Sequence, residues 1–361
     1  MKIKWLSLLL ALLLVASVGV LSGCSTKRGA ADVHVFYYTY SDPYISTVRS
    51  ALDEKLKDAG IQFQDHDSNN SQTTQTEQVQ TAITKGAKLL IVNIVTTGSD
   101  DAASGIVSLA KSAGIPVIFF NREVSDSVVN SYDKCVFVGT DAAEAGYLQG
   151  DMVGDYVVAN YDRIDLNGDG KISYVMFMGE KGNNEAIYRT QYSVENANKK
   201  LVAAGKPELV FYDTANTDRY LLDREGKWSA QAANEYMTTI LASYSTANNN
   251  MVELIICNND GMAEGAISAL ASAGYNKGSN GVTIPVFGVD ATSAARQLIR
   301  AGKMAGTIKQ DADGMADAIE EIAENVLEGK SLLDGMNDYT VDSGVAKVRI
   351  SYAVYLGDEN D

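Results

Sequence analysis

The chain has 361 residues, with 30 Lys and Arg against 46 Asp and Glu, a formal charge of −16. Hydrophobic residues make up 46% and charged residues 21%, the proportions of a globular chain long enough for two domains. The acid excess argues against a nucleic-acid partner, three Cys and two His exclude a zinc or disulfide scaffold, and neither His34 nor His66 adjoins a nucleophile motif.

Lys2 and Lys4 precede an apolar run from Trp5 to Leu21, which closes in Leu21-Ser22-Gly23-Cys24. A basic start, an apolar stretch and small residues before a cut describe an export signal rather than a spanning helix. Cys directly after Leu-Ser-Gly matches the bacterial lipoprotein signal, so Cys24 is expected to carry lipid and become the first residue. Removing residues 1–23 takes away two Lys and no acid, moving the charge from −16 to −18. Residues 24–31 read as a flexible tether. No later stretch holds the ~18 uninterrupted apolar residues of a membrane span.

Strand-like and helix-like runs then alternate. A β-rich run over 33–38 precedes a helical pattern over 45–59 that stops at Gly60. A strand over 61–64, a polar helix over 73–85 and a buried strand over 89–95 follow. A helix over 102–113 leads through Gly114-Ile115-Pro116 into a strand over 117–120. A strand over 135–138 and a helix over 142–158 come next. The pattern restarts with a strand over 172–178 and a helix over 185–204. Strands over 208–212, 253–257, 282–289 and 304–308 then alternate with helices over 229–243, 261–273, 292–301 and 312–327. Strands joined by helices imply right-handed crossovers and parallel sheets covered on both faces. The strands are too many for one sheet, so the expected class is α/β with two doubly wound lobes. Cys135 and Cys257 lie inside apolar strand runs and are expected to be free buried thiols.

In open α/β sheets ligands bind beyond the carboxyl ends of the strands. Here those ends read Tyr40-Ser41-Asp42, Asn121-Arg122-Glu123, Asn258-Asn259-Asp260 and Val289-Asp290. Asn and Asp there also cap the next helix. Four such ends in one two-lobed chain point to a cleft lined by amides and carboxylates, which can bond two adjacent hydroxyls as a sugar requires. Tyr44 and Trp228 are candidates for stacking on a pyranose face, with core packing as the alternative.

Asp165-Leu166-Asn167-Gly168-Asp169-Gly170-Lys171-Ile172-Ser173 is the sharpest local motif. Oxygen groups at positions 1, 3 and 5, Gly at 6, a carbonyl at 7 and a polar group at 9 reproduce an EF-hand calcium loop. Position 12 is Met176, so a bidentate carboxylate must come from elsewhere, or the segment is only an acidic turn.

Taken together, Tyr40-Ser41-Asp42-Pro43-Tyr44, Phe119-Phe120-Asn121-Arg122-Glu123, Ser131-Tyr132-Asp133-Lys134, Val138-Gly139-Thr140-Asp141, Gln149-Gly150-Asp151, the acidic loop, Gly179-Glu180, Cys257-Asn258-Asn259-Asp260-Gly261-Met262 and Val286-Phe287-Gly288-Val289-Asp290 resemble a known family. It is that of the galactose/glucose-binding proteins of bacterial ABC sugar importers, within the ribose-type periplasmic binding proteins. The resemblance implies that Asp42, Asn121, Arg189, Asn259 and Asp290 hydrogen-bond a monosaccharide between Tyr44, where the family usually has Phe, and Trp228, for whose place Thr217 competes. It also implies that Glu253 completes a structural Ca2+ site with Asp165, Asn167, Asp169, Lys171 and Ser173. Two departures stand out: the family's His-Pro-Asp reads Asn183-Asn184-Glu185, and its last cleft Asn is Gln310. Such changes in reach alter sugar preference by ~1–3 kcal/mol.

The expected architecture is a type I periplasmic binding protein, with lobe one over 30–140 and 310–346 and lobe two over 141–309 and 347–361, joined by a three-segment hinge. The expected role is that of a non-enzymatic monomer, lipid-anchored outside the cytoplasm, passing galactose or glucose to an ABC permease. A chemoreceptor or sensor kinase as partner, or a pentose or methyl-galactoside as ligand, leaves the same signature. A LacI-like regulator would need a DNA-binding helix pair where the export signal stands. A glycosidase would need two opposed carboxylates, for which Asp42, Glu185 and Asp290 are available, and sugar turnover separates the two.

Overall fold

The computed structural model describes residues 31–278 and 281–357; the export signal, Cys24 and nearly all of the tether lie outside the described residues. In chain order the strands are β1 (Val33–Tyr37), β2 (Phe63–Asp67), β3 (Leu89–Val92), β4 (Val117–Phe120), β5 (Cys135–Gly139), β6 (Ser173–Met178), β7 (Val210–Phe211), β8 (Leu221–Leu222), β9 (Leu254–Cys257), β10 (Val286–Asp290), β11 (Gly306–Gln310), β12 (Thr340–Val341), β13 (Lys347–Arg349) and β14 (Tyr352–Tyr355). One sheet has the order β12-β13-β5-β4-β3-β1-β2 and the other β14-β11-β10-β9-β6-β7, with β8 also on β6. Every pairing is parallel except β12 on β13 and β14 on β11. β1, β3, β4, β5, β9 and β10 are buried along their whole length. They are continuous apolar runs because helices cover both faces of each sheet.

Local chemistry sets the helix ends. Asp42 accepts from Ile45 N (2.9 Å) and Pro43 opens helix Pro43–Asp58, a capped start with proline where no N–H is needed. Asp141 and Asn183 cap helices Ala142–Ile164 and Asn184–Ala203 in the same way. These two helices pack closely through Gly146, Gly150 and Gly154, where any Cβ would meet the facing helix at 2.5–2.9 Å. The expected helix over 142–158 runs on to Ile164, through an irregular turn at Asn160.

Three chain crossings join the lobes. They fall after Gly139, after Gln310 and after Arg349. The last two correct the sequence boundaries. Gln310 pairs with Tyr352 inside the second sheet, so lobe one resumes after it. Lys347–Arg349 pair in parallel with Phe137–Gly139 of the first sheet, so only the chain beyond Ile350 belongs to lobe two. Cys135 and Cys257 are free and buried. Burial pushes the Cys135 thiol up to about 12, so neither chain position reads as a reactive thiol.

Candidate functional site

The carboxyl ends of both sheets face a cleft. Its walls contain all ten residues expected from sequence: Asp42, Tyr44, Asn121, Asn183, Glu185, Arg189, Trp228, Asn259, Asp290 and Gln310. Tyr38, Ile45 and Arg122 line it as well. Thr217 is exposed and outside it.

On the lobe-one side, Asp42 spends one oxygen capping its helix and accepts from Tyr38 Oη with the other (2.6 Å). Asn121, at φ 59, directly follows β4, and its Oδ1 accepts from Asn93 Nδ2 (3.2 Å), leaving the amide nitrogen to the cleft. The Arg122 guanidinium lies 4.3 Å from the Tyr38 ring centroid.

On the lobe-two side, Arg189 is the hub. It donates to Asn258 O (2.9 Å), Tyr352 Oη (2.8 Å) and Gln310 Oε1 (3.4 Å), and pairs with Glu185 (2.7 Å) and, at 4.0 Å, with Asp290. Glu185 in turn accepts from Thr140 Oγ1 (2.8 Å) and Tyr352 Oη (2.9 Å). Thr140, Gln310 and Tyr352 border the three crossings, so this buried network ties the cleft to every hinge segment. Burial pushes the Asp290 carboxyl well up, against the pull of Arg189. Asp290 and Ala291 sit at φ 123 and φ 56, a strain that must be held by surrounding contacts. Asp260 supplies them, accepting from Thr292 N (2.8 Å) and Thr307 Oγ1 (2.6 Å).

Trp228, at φ 55, packs its indole on Gly179, where a Cβ would collide with the ring. Its Nε1 donates to Glu180 Oε2 (3.2 Å). Glu180 also bridges the lobes, accepting from Arg122 Nη2 (2.6 Å) and Thr97 Oγ1 (3.0 Å), and Asn184 Nδ2 reaches Glu123 Oε2 (3.1 Å). The lobes are therefore closed on each other. Sequence reasoning did not single out Tyr38 or Tyr352, and Thr140 entered only as a member of the motif Val138-Gly139-Thr140-Asp141. Arg122 and Glu180 were visible only as neighbours of Asn121 and Gly179 in the quoted motifs.

Residues 165–173 lead into β6, which opens at Ser173, and so lie at the opposite end of that sheet from the cleft. Asp165 accepts from Gly168 N and Gly170 N (2.8 and 2.9 Å), Asn167 from Asp169 N (2.9 Å) and Asp169 from Lys171 N (2.8 Å). Glu253, from 80 residues on, accepts from Leu166 N (2.7 Å), Ser173 N (2.8 Å) and Ser173 Oγ (3.0 Å). The donor set is all oxygen, which suits a hard cation, and Glu253 reaches the loop. Among the described residues, however, no three His, Cys, Asp or Glu side chains gather as a metal cluster.

A family model described as a periplasmic binding protein domain matches residues 33–331. The D-galactose/methyl-galactoside binding periplasmic protein MglB of Haemophilus influenzae is 36% identical over 90% of this chain and 91% of its own. The ribose import binding protein RbsB of Escherichia coli is 25% identical over 88% of this chain and 93% of its own. Among solved structures, an ABC transporter solute binding protein from Bacillus halodurans with bound myo-inositol has a TM-score of 0.67 at 24% identity, covering 92% of this chain and 96% of its own. One from Clostridium phytofermentans with bound β-D-glucose has a TM-score of 0.67 at 22%, covering 90% and 94%. The chain belongs to the periplasmic binding protein family, whose members bind solutes rather than transform them.

Proposed function

We propose that the protein captures an aldohexose of the galactose/glucose class in this cleft and hands it to an ABC importer. The observation that carries the reading is the cleft wall itself, where Asp42, Asn121, Arg189, Asn259 and Asp290 come together with Tyr44 and Trp228. Carboxylates and amides accept from and donate to adjacent sugar hydroxyls, and charge-assisted bonds of this kind are the stronger ones. Strained Asp290 and the Arg189–Glu185–Tyr352 network hold these groups in place before the ligand arrives, which lowers the cost of ordering them. Closure of the lobes then excludes water, and reopening releases the sugar. The relation to a galactose/methyl-galactoside binding protein supports this sugar class over a pentose. Calorimetric titration against hexoses, pentoses and methyl-galactosides tests it; binding of ribose without any hexose overturns the sugar class.

The reading extends to two further features. Cys24 carries lipid and tethers the receptor outside the cytoplasm; among the described residues no helix is long and apolar enough to cross a membrane. Asp165, Asn167, Asp169, Lys171, Ser173 and Glu253 hold a Ca2+ ion. The cation would neutralise carboxylates crowded in a chain of charge near −18, stabilising lobe two without touching the sugar.

A further inference from the structure

We infer that Tyr44 sets ligand specificity by donating a hydrogen bond from its phenol to one hydroxyl oxygen of the bound sugar. The inference rests on the hexose reading above and names a contact within it. Tyr44 lines the cleft, is 5% exposed, and its Oη has no hydrogen-bond partner in the protein. A buried hydroxyl left unpaired is destabilising, so a bare stacking ring would be served better by Phe. Burial, then the fields of Asp290 and Tyr352, push this phenol well up, so it is a donor throughout the neutral range. Those groups belong to lobe two and the hinge, while Tyr44 belongs to the first turn of helix Pro43–Asp58 in lobe one. The ring packs at the edge of the lobe-one core while the residue also lines the cleft that faces those groups.

The other unpaired atoms of the cleft wall sharpen the chemistry. They are Arg122 Nε, Arg189 Nε and Gln310 Nε2, and each is a donor. The acceptors Asp42 and Glu185 are already bonded within the protein. The wall thus asks its occupant chiefly for lone pairs, with Asp290, which meets Arg189 only at 4.0 Å, left to bond one of its hydroxyls. A carboxylate would supply them, but Asp42, Glu185 and Asp290 outnumber Arg122 and Arg189 around the space. A neutral polyhydroxylated ring supplies them without adding charge.

Tyr44→Phe keeps the ring and removes the donor. Wild type and variant are titrated with galactose, glucose and the monodeoxy derivatives of each. The variant is expected to bind the parent hexose about tenfold more weakly, and to match wild type for the single deoxy sugar that lacks the partner hydroxyl. The melting temperature of the sugar-free variant is expected to equal or exceed that of wild type, because an unpaired buried hydroxyl has gone. Equal affinity for every sugar, a uniform loss across all the deoxy sugars, or a lower sugar-free melting temperature overturns the role of Tyr44 while leaving hexose binding intact. Failure of wild type to bind any hexose overturns the hexose reading first and this contact with it.

Discussion

Asp290 concentrates several costs in one residue: a left-handed backbone, a buried carboxyl and a long pair with Arg189. A protein keeps such a residue where its position matters to something other than stability. Asp290→Ala is expected to cost about 1.5–3 kcal/mol of hexose affinity, read by calorimetry. Unchanged affinity would mean that the sugar binds elsewhere. A second residue-scale expectation concerns pH. Burial, then His34 and Lys85, lower His66 from its ordinary 6.5 to about 4. Folded His66 is neutral where the unfolded residue takes a proton, so its contribution is present above pH 6.5 and is lost as pH falls towards 4. Melting temperature followed from pH 7 to 4.5 should drop more steeply for wild type than for His66→Gln; parallel curves would contradict this. The cleft acids were legible in sequence because Asn and Asp after a buried strand form a local pattern. The roles of Thr140 and Tyr352 were not, because they arise from contacts with Glu185 and Arg189, 45 to 167 residues away.

At the scale of elements, the acidic loop is the clearest case of local order awaiting a distant partner. Its glycines, Gly168 and Gly170, take φ of 70 and 78, and its side chains fold back on its own amides. Glu253 enters from the chain just before β9 and stitches positions 166 and 173 together. Calcium binding to the folded state alone would add about 2.7 kcal/mol at a hundredfold excess over its dissociation constant. Chelator-treated protein should melt lower than protein with added calcium, and Glu253→Gln should reproduce much of the loss while hexose affinity stays nearly constant. The same melting temperature with and without calcium would leave the loop an acidic turn. The loop could be read in sequence because all its turns are local. β12, β13 and β14 could not: they are two to four residues long and hold their shape by pairing with strands already laid down. The misplaced last crossing has the same origin, since nothing in Lys347-Val348-Arg349 itself says which sheet it will join.

At the scale of the molecule, two lobes and a hinge followed from the alternation of strands and helices, while the closed state rests on contacts no periodicity encodes, such as Arg122 with Glu180. The anchor is a whole-molecule property too. Cys24→Ser should move the protein from the membrane fraction to the soluble one, and intact-mass measurement of native material should show a mature chain beginning at acylated Cys24; an unmodified amino terminus elsewhere would refute the anchor. The placement of β13 bears on how the molecule is made. β5 lies between β4 and β13, and the residues that cover its free edge lie some two hundred positions downstream. At roughly 5–20 residues per second of synthesis, that edge stays open for ten seconds or more, a bare row of amides and carbonyls of the kind that recruits stray strands. Lobe two's strands β6 to β11 are all made in that interval, yet their own sheet also waits for β14. Both sheets wait for strands near the end of the chain, β13 for the first and β14 a few residues later for the second, so neither lobe is complete until nearly the whole chain is made.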